Sequence, residues 1–196
     1  MRIAVDLDKT IFSCDSVAYD IITQLVGQKK PKNSLRFNVV NYEESIKNNV
    51  LTKPIRVLNS DYYYEVEDSV KYINQWYLNG HKIVLLSTRP NLSVLKKTLL
   101  VLLEEYEVPF TLLVIGCSNK AKFCKKYKID ILIDDSKINC EEAYKRGVNS
   151  IFYNPEGSPG VRVERTSQGA RLFRANSWID INILVGKTAQ AQIERS

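Results

Sequence analysis

The chain has 196 residues, 44% hydrophobic and 26% charged, with a net charge of +6. That length suits one core domain plus an insertion, and the charge favours anionic ligands without singling out nucleic acid. No apolar run approaches the roughly 18–20 residues of a membrane span, and the single histidine, His81, argues against a His-based triad or a zinc site.

The first apolar run, Arg2-Ile3-Ala4-Val5, reads as a strand and ends in Asp6-Leu7-Asp8-Lys9-Thr10. Two carboxylates two residues apart at the end of a buried strand form a costly like-charge pair, normally kept for chemistry or a cation. From Ser13 to about Glu65 the strand rhythm stops. Helical pieces at Val17–Val26 and Tyr42–Asn49 flank a basic linker with Lys29, Lys30, Pro31 and Lys32. This interval, 13–65, reads as a small helical cap inserted after the first strand.

The α/β rhythm then resumes. Val66, Val70, Ile73 and Tyr77 recur at helical spacing, and Gly80 stops that helix. Strands are expected at Lys82–Leu86, Phe110–Ile115, Ile131–Ile133 and Ser150–Tyr153. Helices are expected between them: one on the stripe Leu92, Leu95, Leu99, Leu102 and Tyr106, a basic one around Ala121–Tyr127, and one at Cys140–Arg146. The first four strands lack clean alternation, as strands buried on both faces of a parallel sheet do. The fold class is therefore α/β, a doubly wound, mostly parallel five-stranded sheet built from residues 1–12 and 66–155. Residues 156–196 form an extension: a Pro/Gly turn region, a hairpin within Val161–Phe173, and an apolar helix at Trp178–Val185.

Ligands of such sheets sit outside the carboxyl ends of the strands. Strand one delivers Asp6 and Asp8 to that edge. The second core strand delivers Ser87-Thr88-Arg89-Pro90, Lys120 precedes the fourth, and the fourth ends in Asp134-Asp135-Ser136. Paired carboxylates, a hydroxyl and an ammonium suit phosphoryl transfer through an aspartate. Mg²⁺ needs only a few oxygen ligands, the carboxylate nucleophile divides the reaction into two steps, and the cations neutralise the transferring group.

The set DLDKT, LLSTRP, Lys120 and IDDS resembles the haloacid dehalogenase (HAD) superfamily of aspartate-nucleophile phosphohydrolases over roughly residues 1–153. The resemblance implies Asp6 as nucleophile and Mg²⁺ ligand. It implies Asp8 as general acid/base with its backbone carbonyl on the metal, Thr10 as brace of the motif loop, Ser87 and Lys120 on the phosphoryl group, and Asp134 and Asp135 at the metal. Lys122 is the alternative to Lys120, and Thr88 the alternative to Ser87. Arg89 either contacts substrate phosphate or forms a structural ion pair.

STRP together with the Lys120–Ser136 stretch is similar to the 5′(3′)-deoxyribonucleotidase type of HAD protein, which implies a nucleoside monophosphate as the small phosphorylated substrate. Phe37, Tyr42, Tyr62, Tyr63 and Tyr64 are candidates for a base-stacking face. The alternatives are a sugar or metabolite phosphatase and a polynucleotide end-processing phosphatase, the latter suggested by the basic helix at 120–128 and the arginine-bearing tail. A catalytically silent binding module is disfavoured by the intact acids. Four cysteines (Cys14, Cys117, Cys124, Cys140) without CxxC spacing, and an N-terminus without signal-peptide features, lead to an expected cytoplasmic location.

Overall fold

The computed structural model describes residues 1–14, 38–41, 63–89, 93–157, 163–165 and 169–194. At its centre lies β1 (Arg2–Asp6), flanked in parallel by β5 (Lys82–Ser87) and β7 (Ile131–Asp134). β6 (Leu112–Ile115) continues the sheet beyond β5, and β8 (Asn149–Tyr153) continues it beyond β7, both parallel. These are the five strands expected from the apolar runs. In the order β6-β5-β1-β7-β8 the chain reverses direction of growth between β1 and β7, which is the topological switch point where such sheets bind ligands.

Three further strands widen this sheet to eight. β10 (Arg171–Ala175) adds in parallel to β8, and β9 (Val163–Arg165) closes that edge in antiparallel fashion. At the other edge β3 (Asn38–Asn41) pairs antiparallel with β6. The expected count of five is thus corrected to eight. β9 and β10 are the hairpin expected in the extension, which joins the sheet beyond β8, and β3 is a short edge strand defined by the partner it finds. A separate two-stranded ribbon pairs β2 (Phe12–Cys14) with β4 (Tyr63–Glu65) in antiparallel fashion, and of the helical cap expected over 13–65, residues 38–41 lie instead in the main sheet as β3. The helices expected at 17–26 and 42–49 lie outside the described residues.

Alternation along the central strand sorts two cores. Ile3 and Val5 join a large cluster with Ile73, Leu99, Leu102, Trp178 and Ile181. These come from α1 (Ser69–Leu78), α2 (Ser93–Glu105) and α5 (Trp178–Ile193). Ala4 faces the opposite cluster, with Phe123 and Cys124 of α3 (Lys120–Lys126) and Ala143 of α4 (Lys137–Lys145). The sheet is thereby covered on both sides, as a parallel sheet must be.

α5 is tied into the core by two indoles. Trp76 and Trp178 lie 5.7 Å apart, Trp76 Nε1 donates to Asn182 Oδ1 at 2.8 Å, and Trp178 Nε1 donates to the Thr10 carbonyl at 3.1 Å. The C-terminal helix thus braces the loop that carries the aspartates.

α1 ends at a glycine, as the sequence predicts. Gly80 has φ 81° and donates its N–H to the Tyr77 carbonyl, while His81 N–H reaches back to the Trp76 carbonyl. This pair of bonds is the Schellman arrangement, which needs a left-handed residue at that position. No atom lies within 4 Å of a Cβ placed on Gly80, so Gly80→Ala is a pure backbone test. It is expected to cost about 1 kcal/mol, read as a lowered urea midpoint at unchanged slope.

Candidate active site

The motif loop turns sharply out of β1. Ile11 and Phe12 both donate their N–H to the Leu7 carbonyl at 3.0 Å, and Lys9 N donates to the Phe12 carbonyl at 2.7 Å. Lys9 takes φ 60°, a left-handed conformation costly for a residue with a Cβ and typical of loops whose shape is tied to function. Asp6 is 5% exposed, and Thr10 is fully buried, its Oγ1 without a hydrogen-bond partner among the described residues.

Register sets the next contact. Val5 pairs with Ile133, so Asp6 and Asp134 stand at the same level on adjacent strands. Carboxylate oxygens of Asp6, Asp134 and Asp135 all lie within 4.8 Å of one another. Lys120, at the start of α3, is 2% exposed and spans the pair, donating to Asp6 Oδ1 at 2.5 Å and Asp134 Oδ2 at 2.8 Å. Asp134 also accepts from the Ser136 N–H at 2.9 Å and from Asn139 Nδ2 at 3.1 Å to each oxygen.

The electrostatics follow from this crowding. Burial pushes the Asp6 carboxyl well above its ordinary value. Lys120 opposes the shift, and Asp134 and Asp8 add to it. Asp135 is raised by burial and by Asp134. Burial by itself lowers Lys120, but the Asp6 and Asp134 carboxylates outweigh it and hold the ammonium protonated. Three carboxyl groups therefore share one ammonium at this site.

The remaining expected residues divide by burial. Ser87 is fully buried at the end of β5, and its Oγ accepts the Arg89 N–H at 3.1 Å, whereas Thr88 is exposed. Lys122 is likewise exposed, with its N–H on the Asn119 capping oxygen. The two alternatives therefore lie outside the buried constellation.

Asp8 stands apart from the three-acid cluster. Its carboxylate accepts both Arg89 Nε, at 3.1 and 3.0 Å, and Arg89 Nη2. Arg89 is 5% exposed and lies over the Tyr63 ring, 5.2 Å from its centroid.

Asn139 carried no signal in the sequence beyond its place three residues after the Ser136 cap. Tyr63 is buried in the core and Tyr64 is exposed, which removes the first from any stacking face; Phe37, Tyr42 and Tyr62 lie outside the described residues. Burial raises the Cys117 thiol to about 11 and pushes Cys124 and Cys140 upward as well. These three stay protonated at neutral pH, so none is a nucleophile.

No family model and no curated protein sequence matches the chain. Solved structures do match. A haloacid dehalogenase-like family hydrolase from Xanthomonas campestris superposes with a TM-score of 0.58 at 11% identity, over 100% of this chain and 98% of its own. A HAD phosphatase from Thermococcus onnurineus gives 0.54 at 14%, over 94% and 97%. The chain has the HAD fold. A HAD family hydrolase from Deinococcus radiodurans, solved with bound phosphate and sodium, gives 0.52 at 11%, over 96% of each chain. At these identities the likeness is one of architecture. Within this HAD fold the buried acids and Lys120 occupy the carboxyl edge at the switch point. Among the described residues no helix is long and apolar enough to cross a membrane.

Proposed function

We propose that the protein is a Mg²⁺-dependent phosphomonoesterase working through an aspartyl-phosphate, with a nucleoside monophosphate as substrate. The observation that carries the chemistry is the buried Asp6 at the switch point, bridged by Lys120 to Asp134 and adjoined by Asp135. In the first step an Asp6 oxygen attacks phosphorus and the bond to the leaving oxygen breaks. Asp8 gives its proton to that oxygen, releasing the alcohol. In the second step water attacks the same phosphorus, its proton passes to Asp8, and phosphate leaves with the Asp6 carboxylate restored. Lys120, and the Ser87 hydroxyl at the neighbouring strand end, would hold the phosphoryl oxygens.

The donor set fits a hard divalent cation. Asp6, Asp134 and Asp135 supply carboxylate oxygens in excess of the one ammonium, and Asn139 and the Ser136 N–H hold Asp134 in place. When bound, Mg²⁺ would neutralise charge on the transferring group. Because the cation binds the folded protein, saturating Mg²⁺ at about 100 times its Kd stabilises by about 2.7 kcal/mol. The expected rise in Tm is about 5–10 °C. Asp134→Asn should abolish most of that rise in differential scanning fluorimetry, with Asn139→Ala giving a smaller loss.

The nucleotide assignment rests on the resemblance of STRP and the Lys120–Ser136 stretch to deoxyribonucleotidases, and on the net charge of +6. Tyr64, 57% exposed on the ribbon beside the motif loop, is the described aromatic free to meet a base. Cys117, Cys124 and Cys140 are free and buried, which supports a cytoplasmic location. A polynucleotide end is the second reading, favoured by the exposed Lys122, Lys125, Lys126 and Lys128 on and after the helix that Lys120 begins.

Phosphate release with and without Mg²⁺ should be measured across nucleoside 5′- and 3′-monophosphates, sugar phosphates and a 3′-phosphorylated oligonucleotide. A Mg²⁺-dependent mononucleotide preference supports the reading. Turnover confined to sugar phosphates, or to the oligonucleotide with a steep salt dependence, replaces the substrate and keeps the mechanism.

A further inference from the structure

Arg89 follows β5, Asp8 follows β1, and the three-acid cluster sits toward β7 on the other side of β1. The Asp8 carboxylate is drawn to the β5 side by a guanidinium that meets both of its oxygens. The Nε and Nη2 edge of that guanidinium is on Asp8, its flat face lies over Tyr63, and the whole residue is 5% exposed, while the Asp8 side chain remains 38% exposed. The Arg89 backbone is itself pinned, donating its N–H to Ser87 Oγ. The planar fork fixes the orientation of a carboxylate in a way an ammonium cannot.

We propose that Arg89 is a positioning residue that acts through Asp8: it aims the Asp8 carboxyl at the leaving oxygen and keeps it out of the three-acid cluster. This rests on the phosphomonoesterase reading above. Tyr63 extends the arrangement, because it belongs to the ribbon that pairs Phe12–Cys14, directly after the motif loop, with Tyr63–Glu65. Arg89 is thus the point where that ribbon meets the Asp8 carboxylate.

The role predicts a pattern that phosphate binding or simple structural support would not produce. A misplaced acid matters most when the leaving oxygen needs a proton, and little when it departs as a stable anion. Arg89→Gln should lower kcat on a nucleoside monophosphate by about 100-fold, the lower end of the range for general acid–base catalysis. KM should change little, and the loss on p-nitrophenyl phosphate should be much smaller. Arg89→Lys, which keeps the charge but not the fork, should fall between wild type and Arg89→Gln and gives the same readout if the Gln variant fails to fold. In an Asp8→Asn background, Arg89→Gln should have almost no further effect on kcat, since residues that act as one unit are non-additive.

A raised KM with kcat retained would make Arg89 a phosphate ligand and overturn the proposal. So would equal losses on both substrates, or losses that add to that of Asp8→Asn. Each of those results leaves an Asp6-dependent phosphatase in place. Absence of Asp6-dependent phosphate release from the wild type would instead overturn the functional reading and this inference together.

Discussion

Asp6→Asn is expected to yield a folded protein without turnover. The nucleophile is lost and no neighbour can replace it: Asp134 and Asp135 are committed to the cluster, and Asp8 is held by Arg89. Removing a nucleophile that works as part of a unit costs on the order of a million-fold in kcat. Stability should move the other way. Burial raises the Asp6 carboxyl, so the stability its protonation contributes is fully present only below the ordinary carboxylate value and is lost as pH rises through the raised one. In chelator, wild type should therefore be less stable at pH 8 than at pH 5. Asp6→Asn should flatten this dependence, because a neutral amide carries no such penalty. Urea titrations at the two pH values check the stability half, and phosphate release checks the chemical half. Undiminished turnover in Asp6→Asn would sink the nucleophile assignment.

Lys120→Met carries the second large effect. It leaves Asp6 and Asp134 buried side by side with no cation between them, at 5% and 0% exposure. Breaking a buried ion pair by removing one partner typically costs about 3–5 kcal/mol, because the desolvated charge remains. For a chain of this length that corresponds to a Tm lower by about 6–20 °C in chelator. Saturating Mg²⁺ should recover part of the loss by supplying the missing positive charge, while activity stays low because the phosphoryl group has lost its ammonium. Lys122→Met is the matched control. That side chain is exposed, and its loss should stay within about 0.5 kcal/mol. Equal effects of the two substitutions would mean that the cluster does not depend on Lys120.

Much of this site can be read from residue order, for a local reason. A two-sided buried strand announces itself as an apolar run, and the polar residues that end it must then lie at the sheet edge. Asp6, Ser87 and Asp134 each follow directly from such a run. Gly80 is legible in the same way, since the turn that ends α1 needs a left-handed residue. The choice between Lys120 and Lys122 is not local. Both begin α3, and only the packing of that helix against the sheet determines that the first is buried between Asp6 and Asp134. Ser87 and Thr88 differ likewise by which side of the strand end is covered.

The edges of the fold lie further from the sequence signal. β3 is short and owes its pairing to β6, whereas β9 and β10 form the hairpin expected around Val161–Phe173, whose addition to β8 no local pattern announces. Asn139 has no pattern of its own, and its role arises when α4 sets its amide against Asp134.

By itself, then, the sequence determined which groups stand at the carboxyl ends of the core strands. Hydrophobic periodicity is a property of neighbouring residues, and it suffices to place them there. The tertiary structure alone decided which of those groups meet. Strand order set Asp134 and Lys120 on one side of Asp6, and turned Asp8 to Arg89 on the other, because contacts between residues some 80 to 130 positions apart depend on how elements stack rather than on any local spacing.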